Sequence, residues 1–205
     1  MKLVYLDPGH GGNKPGNVNG GVRESTTALK LGKRIAHYIR LLSKTGDINS
    51  APSIQTAMSR DMDMNVSINK RAQMAVKAGA DLMVSVHTNS SIIKSAHGAE
   101  VWVSAAGYYK LRSAAIATEI LRHLEALGFS NRGVKPDIWY SLGRLGVLRG
   151  VDKHMPAVLI EPGFASNDRE RKLLTDPDSQ EIIAQQTASV IVKHFGIEPR
   201  WDLIL

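Results

Sequence analysis

The sequence predicts an α/β fold: a single three-layer domain in which a central, mostly parallel sheet carries helices on both faces. Three observations lead there. Apolar runs short enough to be buried strands occur at Leu3–Leu6, Leu82–Val86 and Ala157–Ile160. Segments with apolar residues at helical spacing fall between and after them, and strands that alternate with helices build parallel sheets. At 205 residues the chain is also long enough for one core that covers such a sheet on both sides.

The elements follow in order. The first strand ends in Asp7-Pro8-Gly9-His10-Gly11-Gly12, where glycines allow a sharp turn and a close approach of backbone to ligand. The lysine and Ser/Thr pair of a phosphate loop is missing from that run. Ala28, Leu31, Ile35, Ile39 and Leu42 predict an amphipathic helix over Ser25–Leu42, with Ser25, Thr26 and Thr27 as available N-caps. Gly46–Ala51 reads as loop, Ile54–Ser59 as a strand running into Arg60-Asp61, and Ile68–Ala78 as a helix stopped at Gly79. Asp81–His87 is the next strand and leads into Thr88-Asn89. In Gly98–Ser104, Ala99, Val101 and Val103 alternate with Glu100, Trp102 and Ser104, the pattern of a half-exposed strand. Leu111, Ala114, Thr118, Leu121 and Leu124 mark a helix that ends near Gly128. A glycine-punctuated stretch, Arg132–Gly150, contains a short apolar piece at Leu145–Leu148. The Ala157 strand ends in Glu161-Pro162-Gly163, and Ile183, Thr187, Val190, Ile191 and His194 give a final helix. Residues 1–196 thus form the domain, and 197–205 form a tail that docks on it or begins a linker.

Composition narrows the chemistry. There is no cysteine, so disulfides and thiolate metal sites are excluded and any metal must use nitrogen and oxygen donors. The net charge is +7, but the basic residues are scattered and aromatics make up only 5%. Without a basic stripe or stacking aromatics, nucleic acid is not an expected partner. Long-range attraction to an anionic polymer remains a modest reading of the charge. Met1-Lys2-Leu3 runs straight into the first strand, and no apolar stretch approaches the length of a membrane span. The expectation is a soluble protein without a signal peptide or membrane association.

His10, His87 and Glu161 each stand where an apolar strand stops, and sites in open α/β sheets assemble outside the carboxyl ends of strands. Glu24, following the first glycine-rich loop, can swing into the same crevice. Two histidines and a carboxylate leave one position of a zinc tetrahedron open, the catalytic rather than the structural arrangement. Glu161 is then the spare carboxylate that a reacting water needs. Taken singly, each residue has an ordinary explanation: a hydrogen-bonded histidine, a first-turn glutamate favoured by the helix dipole, a buried acid with a partner. His37, His123 and His194 lie in helices as surface or packing residues, His154 precedes a turn, and His97 is the reserve ligand. Neither a Gly-x-Ser-x-Gly elbow nor a His-Glu-x-x-His helix occurs.

The ordered set Asp7-Pro8-Gly9-His10-Gly11-Gly12, Glu24, Ser59-Arg60-Asp61, Ser85-Val86-His87-Thr88-Asn89, Arg132-Gly133-Val134-Lys135 and Glu161 to Asn167 resembles the motifs of zinc-dependent N-acetylmuramoyl-L-alanine amidases of bacteria and their phages. The likeness spans residues 3–195, with Pro162 standing where the family often has an aliphatic residue. It implies a mixed sheet of about six strands, one Zn2+ per chain on His10, Glu24 and His87, and Glu161 as the catalytic acid/base. The implied substrate is peptidoglycan, cut between the lactyl group of N-acetylmuramic acid and L-alanine. Alternatives are a zinc peptidase cutting within the stem peptide and an inactive peptidoglycan-binding module. Asn89, Arg60, Arg71 and Arg132 are candidates to orient substrate or the ligands, and Asp7 and Glu100 to accept from a ligand imidazole. A monomer is expected, made in the cytoplasm and acting on the wall after release, as an endolysin or other lytic enzyme does. Residues 90–97 leave little room for the inserted helix that blocks the site in some family members, so no activator is expected.

Overall fold

The computed structural model describes residues 1–140 and 145–204. Residues 141–144, inside the glycine-punctuated stretch, and Leu205, the last residue of the tail, lie outside the described residues. Along the chain come β1 (Lys2–Pro8), the two-residue strands β2 (Val18–Asn19) and β3 (Val22–Arg23), α1 (Glu24–Leu42), β4 (Ile54–Met58) and α2 (Ile68–Lys77). Then follow β5 (Leu82–Val86), β6 (Ala99–Val103), α3 (Lys110–Ala126), β7 (Asn131–Pro136) and the short α4 (Gly146–Arg149). The chain closes with β8 (Ala157–Glu161), α5 (Asp168–Thr175) and α6 (Pro177–His194).

Six strands form one sheet in the order β4-β1-β5-β8-β6-β7. All neighbours are parallel except β6 and β8, which run antiparallel. The sheet is therefore mixed and mostly parallel, with helices on both sides. Val4, Leu6, Val84, Val86, Val158 and Ile160 pack with apolar residues of α1, α3 and α6 on one face. Tyr5, Met83, Ala157 and Leu159 face the smaller cluster around α2 and α4. Burial on both faces is why these strands read as continuous apolar runs rather than as alternating ones. The second face carries Tyr5 and Asp7, Met83, Ser85 and His87, and Leu159 and Glu161, because side chains alternate along each strand. Register aligns Asp7 with Ser85 and Val86 with Ile160, so β1, β5 and β8 stop side by side and deliver their polar ends to one crevice.

Several local expectations are corrected. Ala99–Val103 is no half-exposed strand: it lies inside the sheet, and only Trp102 of its five residues is not buried. Its polar member Glu100 is buried because it has partners, which an alternation pattern cannot distinguish from solvent. Helix α1 begins at Glu24 and uses none of the predicted caps. Backbone carbonyls replace them, with Glu24 N–H donating to Asn17 O at 2.9 Å and Ser25 N–H to Pro15 O at 2.9 Å. Helix α6 contains the predicted positions and starts at Pro177, with Asp176 accepting from Ser179 N–H as its cap. Strand β7 falls almost wholly in the glycine-punctuated stretch, and helix α5 in a segment whose sequence pattern predicts no element. In the tail, Ile197 and Ile204 pack on the larger core, and Arg200 donates to Leu42 O at 3.1 Å and Gly46 O at 2.7 Å. Among the described residues no helix is long and apolar enough to cross a membrane.

Candidate active site

The loop after β1 is shaped from behind by two buried arginines. His10 adopts φ +58°, a left-handed conformation that a non-glycine residue holds only when its surroundings impose it. Arg60, 2% exposed, donates to Pro8 O at 3.0 Å, Gly9 O at 2.7 Å and Ser25 O at 2.7 Å. Arg71, 4% exposed, donates to Asp7 Oδ1 at 2.7 Å, Pro8 O at 2.5 Å and His10 O at 2.5 Å. The carbonyls of Pro8, Gly9 and His10 are thus held by the two guanidinium groups, while the His10 side chain is left to line the crevice. Arg60 and Arg71 build the loop rather than face a substrate. Asp7, buried and also bonded to Ser59 and Ser85, is the counter-charge of Arg71 and not the partner of a ligand imidazole. Replacing Arg71 with methionine leaves Asp7 uncompensated and should cost about 3–5 kcal/mol, the range for breaking a buried ion pair from one side. Urea unfolding measures it; a loss under about 1 kcal/mol, the level of a surface pair, would show the pair to be incidental.

The crevice itself holds His10, Glu24 and His87. One donor atom from each lies within 4.8 Å of the others, a group that could hold a metal ion. His10 Nε2 is 3.2 Å from Glu24 Oε2, and His87 Nδ1 is 2.9 Å from Glu24 Oε1. The two imidazole rings meet edge to face, with centroids 5.0 Å apart. Burial opposes ionisation of Glu24, but hydrogen bonds and charge from His10 and His87 outweigh it and hold the carboxyl well below the ordinary range. Asn17 N–H (3.0 Å) and Thr88 N–H (3.2 Å) also donate to this carboxylate. Two glycines make room. A methyl group on Gly9 would overlap the His87 ring. On Gly16, already at φ +69°, it would lie 2.6 Å from Glu24 Oε2 and 2.7 Å from His10 Cδ2.

Glu161, the last residue of β8, is half-buried and pairs with Glu100 of β6 in the antiparallel register. Burial, then the charges of Glu100 and Glu24 and a hydrogen bond with Glu100, push its carboxyl well above the ordinary range against an opposing bond from Trp102. Glu100 is bonded to Asn89, Trp102 and Arg132, not to an imidazole. Asn89 is accordingly engaged with Glu100, and Arg132 lies over the Phe164 ring at 4.8 Å from its centroid. Thr88 Oγ1 is buried without a hydrogen-bond partner among the described residues and orients no imidazole. His97 is exposed, bonds Ser95 O at 2.8 Å and stands outside the metal-competent group.

Glu170 escaped sequence reasoning. Its buried carboxylate accepts from Gly98 N–H and Phe164 N–H, each at 2.8 Å, and so clamps the loop after β8 to the start of β6. The available signal was Asn167, a good N-cap for a helix whose first turn carries Asp168 and Glu170.

With this geometry in view, comparison with known proteins is decisive. The family described as N-acetylmuramoyl-L-alanine amidase matches residues 4–193. The chain belongs to that family. It is 29% identical to the endolysin of Bacillus phage SPP1 over 203 residues, 97% of this chain and 68% of the endolysin. It is 27% identical to the N-acetylmuramoyl-L-alanine amidase LytC of Bacillus subtilis (strain 168), covering 95% of this chain but only 36% of LytC. Among solved structures, the catalytic domain of CwlV, an N-acetylmuramoyl-L-alanine amidase from Bacillus (Paenibacillus) polymyxa var. colistinus, superposes with a TM-score of 0.81 at 27% identity. That match covers 97% of this chain and 100% of the CwlV domain. The amidase family thus accounts for the six-stranded sheet, and the crevice at its strand ends is where the chemistry of this member is to be sought.

Proposed function

We propose that this chain hydrolyses the amide joining the lactyl group of N-acetylmuramic acid to the L-alanine of the stem peptide, using one zinc ion held by His10, Glu24 and His87 and Glu161 as acid/base. The observation that carries the reading is the convergence of those three donors within 4.8 Å at the carboxyl ends of the central strands, where β8 ends in Glu161, in a chain of the amidase family. The donor set fits zinc: two imidazole nitrogens and a carboxylate from three separate segments, with the carboxylate kept ionised by its neighbours. When bound, zinc supplies a Lewis acid, lowers the pKa of water at the site toward about 7 and favours the ionised form of a nearby acid.

The residues then divide the work. Glu161 accepts the proton of the attacking water at a carboxylate oxygen as the C–O bond forms, and returns it to the nitrogen of L-alanine as the C–N bond breaks. His10, Glu24 and His87 hold position because the Arg60 and Arg71 bonds fix the loop and Asn17 and Thr88 fix the Glu24 carboxylate. The net charge of +7 favours approach to anionic wall polymers. The reading extends to a monomeric lytic enzyme that is made in the cytoplasm and acts on the wall after release, as the likeness to a phage endolysin supports. Among the described residues no helix lies between β5 and β6, and activity without an activator protein is part of the proposal.

Digestion of purified peptidoglycan by the zinc-loaded protein tests it. The expected products are stem peptides with free L-alanine amino termini and glycan strands with free lactyl carboxyls, found by mass spectrometry. Peptides cut between stem residues would replace the amidase reading by a peptidase one. Retention on the wall with no new amino termini would leave a binding module.

A further inference from the structure

Behind Glu161 stands a second acid that the reaction as written does not use. Glu100 lies directly opposite Glu161 in the register of β6 and β8, and residues so paired project to the same face of a sheet. It is only 5% exposed. Its Oε1 accepts from Asn89 Nδ2 at 2.8 Å and Trp102 Nε1 at 3.2 Å, and its Oε2 from Arg132 Nε at 2.8 Å. These donors come from the loop after β5, from β6 and from β7.

Each is anchored in turn. The Asn89 backbone exchanges bonds with Gly163 O (2.9 Å) and Ala165 N–H (2.8 Å) in the segment after Glu161. Trp102 packs edge to face on Tyr140 at 5.8 Å, and Arg132 covers Phe164 at 4.8 Å. Three donors on anchored side chains leave the Glu100 carboxylate one orientation. The ion pair adds little to stability, because the Arg132 side chain is 38% exposed and pairs at that exposure are screened by solvent. What the arrangement does provide is a fixed carboxylate directly opposite Glu161 in the sheet, on the same face and close enough to limit where the Glu161 side chain can go.

We infer that Glu100 is a positioning residue for Glu161, holding its carboxyl in the single rotamer that meets both the attacking water and the departing nitrogen. The inference rests on the acid/base reading of Glu161. Asn89, Trp102 and Arg132 act one step further back, by fixing Glu100. Proton transfer needs heavy atoms within hydrogen-bond reach of one another, and an acid at a strand end with nothing beside it would sample several rotamers.

The test is a double-mutant cycle on the zinc-loaded full chain, using Glu100→Gln, Glu161→Gln and the double variant, with zinc content and urea midpoint measured for each. Glu100→Gln is expected to lower kcat by about tenfold to a hundredfold, the usual range for an outer-sphere positioning group, while KM changes by less than about threefold and zinc is retained. In the Glu161→Gln background the same change should cost less than about threefold, because nothing remains to be positioned. Equal losses in both backgrounds, or a Glu100→Gln enzyme with wild-type kcat, would overturn the inference. Should Glu100→Gln fail to fold, Glu100→Asp replaces it, keeping the charge but withdrawing the carboxylate by one methylene; a loss of about tenfold that vanishes beside Glu161→Gln is again expected. A nearly fully active Glu161→Gln instead defeats the acid/base reading itself, whereas an inactive Glu161→Gln beside a fully active Glu100→Gln defeats only the inference drawn here.

Discussion

Glu161→Gln is expected to retain zinc, fold and binding to insoluble peptidoglycan while losing about a hundredfold to ten-thousandfold in turnover, the usual cost of removing a positioned acid/base. Glutamine keeps the volume and still forms hydrogen bonds, but it cannot take up a proton and hand it on. Elemental analysis, sedimentation with wall material and release of L-alanine amino termini measure the three properties separately. A rate above about a tenth of wild type, well short of that loss, would show that Glu161 is not the general base. The same variant carries a stability signature whose sign is fixed. In the metal-free fold the Glu161 carboxyl lies well above its ordinary pKa, because of burial first and then the charges of Glu100 and Glu24. The folded state therefore binds this proton more tightly than the unfolded chain, and stability falls as pH rises from the ordinary carboxylate range toward the raised value. Glutamine abolishes that fall. With zinc chelated, Glu161→Gln should have a higher urea midpoint than wild type near neutral pH and lose the advantage toward pH 4. A midpoint below wild type throughout would mean that Glu161 is stabilised where it stands, and that its ionisation costs the fold nothing.

The parts of this site that were legible in the sequence are those with a one-dimensional signature. His10, His87 and Glu161 each follow an apolar run, and a parallel sheet buried on both faces makes such runs continuous and easy to delimit. Glu24 was legible through its place after the glycine loop, although its setting was not. The helix begins at Glu24 itself, its first N–H groups are satisfied by backbone carbonyls, and its side chain turns toward the histidines. The roles of Arg60 and Arg71 were hidden because a buried arginine that donates to backbone carbonyls has the same letter as one that binds a substrate carboxylate. Only the three carbonyls of Pro8, Gly9 and His10 reveal which it is.

Glu100 was misread for a related reason. Alternation along Ala99–Val103 placed it on an outward face, whereas that face meets Glu161, Asn89 and Arg132. A strand whose polar side is buried against other polar groups carries the same period as one that faces water. Strand β7 was lost to its own composition, since Arg132, Gly133 and Lys135 are poor strand signals and its residues are only partly buried or exposed. The chain direction of β6, antiparallel to β8, has no local signature at all. It matters because it brings the beginning of β6, and Glu100 with it, to the carboxyl end of β8.

Removing any one of the three proposed ligands, His10, Glu24 or His87, should abolish zinc binding at working concentrations and activity with it, but the three variants should differ in what else they lose. Outer-sphere partners of a metal site already cost about tenfold to a hundredfold in affinity or activity, so a direct ligand should cost more than about a hundredfold. In the wild type, zinc at about a thousand times its dissociation constant adds about 4 kcal/mol to stability. For a domain of this size that raises the melting temperature by about 8–16 °C. His10→Ala and His87→Ala should show no such rise while keeping the far-ultraviolet circular dichroism of the fold, because both rings lie at the crevice and are partly exposed. Glu24→Ala should lose the zinc response and also melt lower without zinc. Its carboxylate is 3% exposed and accepts from the backbone of Asn17 and Thr88, donors that alanine leaves unsatisfied at about 1–3 kcal/mol each. Glu24→Gln separates the two losses, since its amide oxygen can still accept from those backbone groups while the site loses its negative charge. It should melt close to the wild-type apoprotein and still respond weakly to zinc. Elemental analysis beside melting curves with and without zinc decides each case. Full zinc occupancy in any of the three alanine variants would remove that residue from the ligand set, whatever its activity.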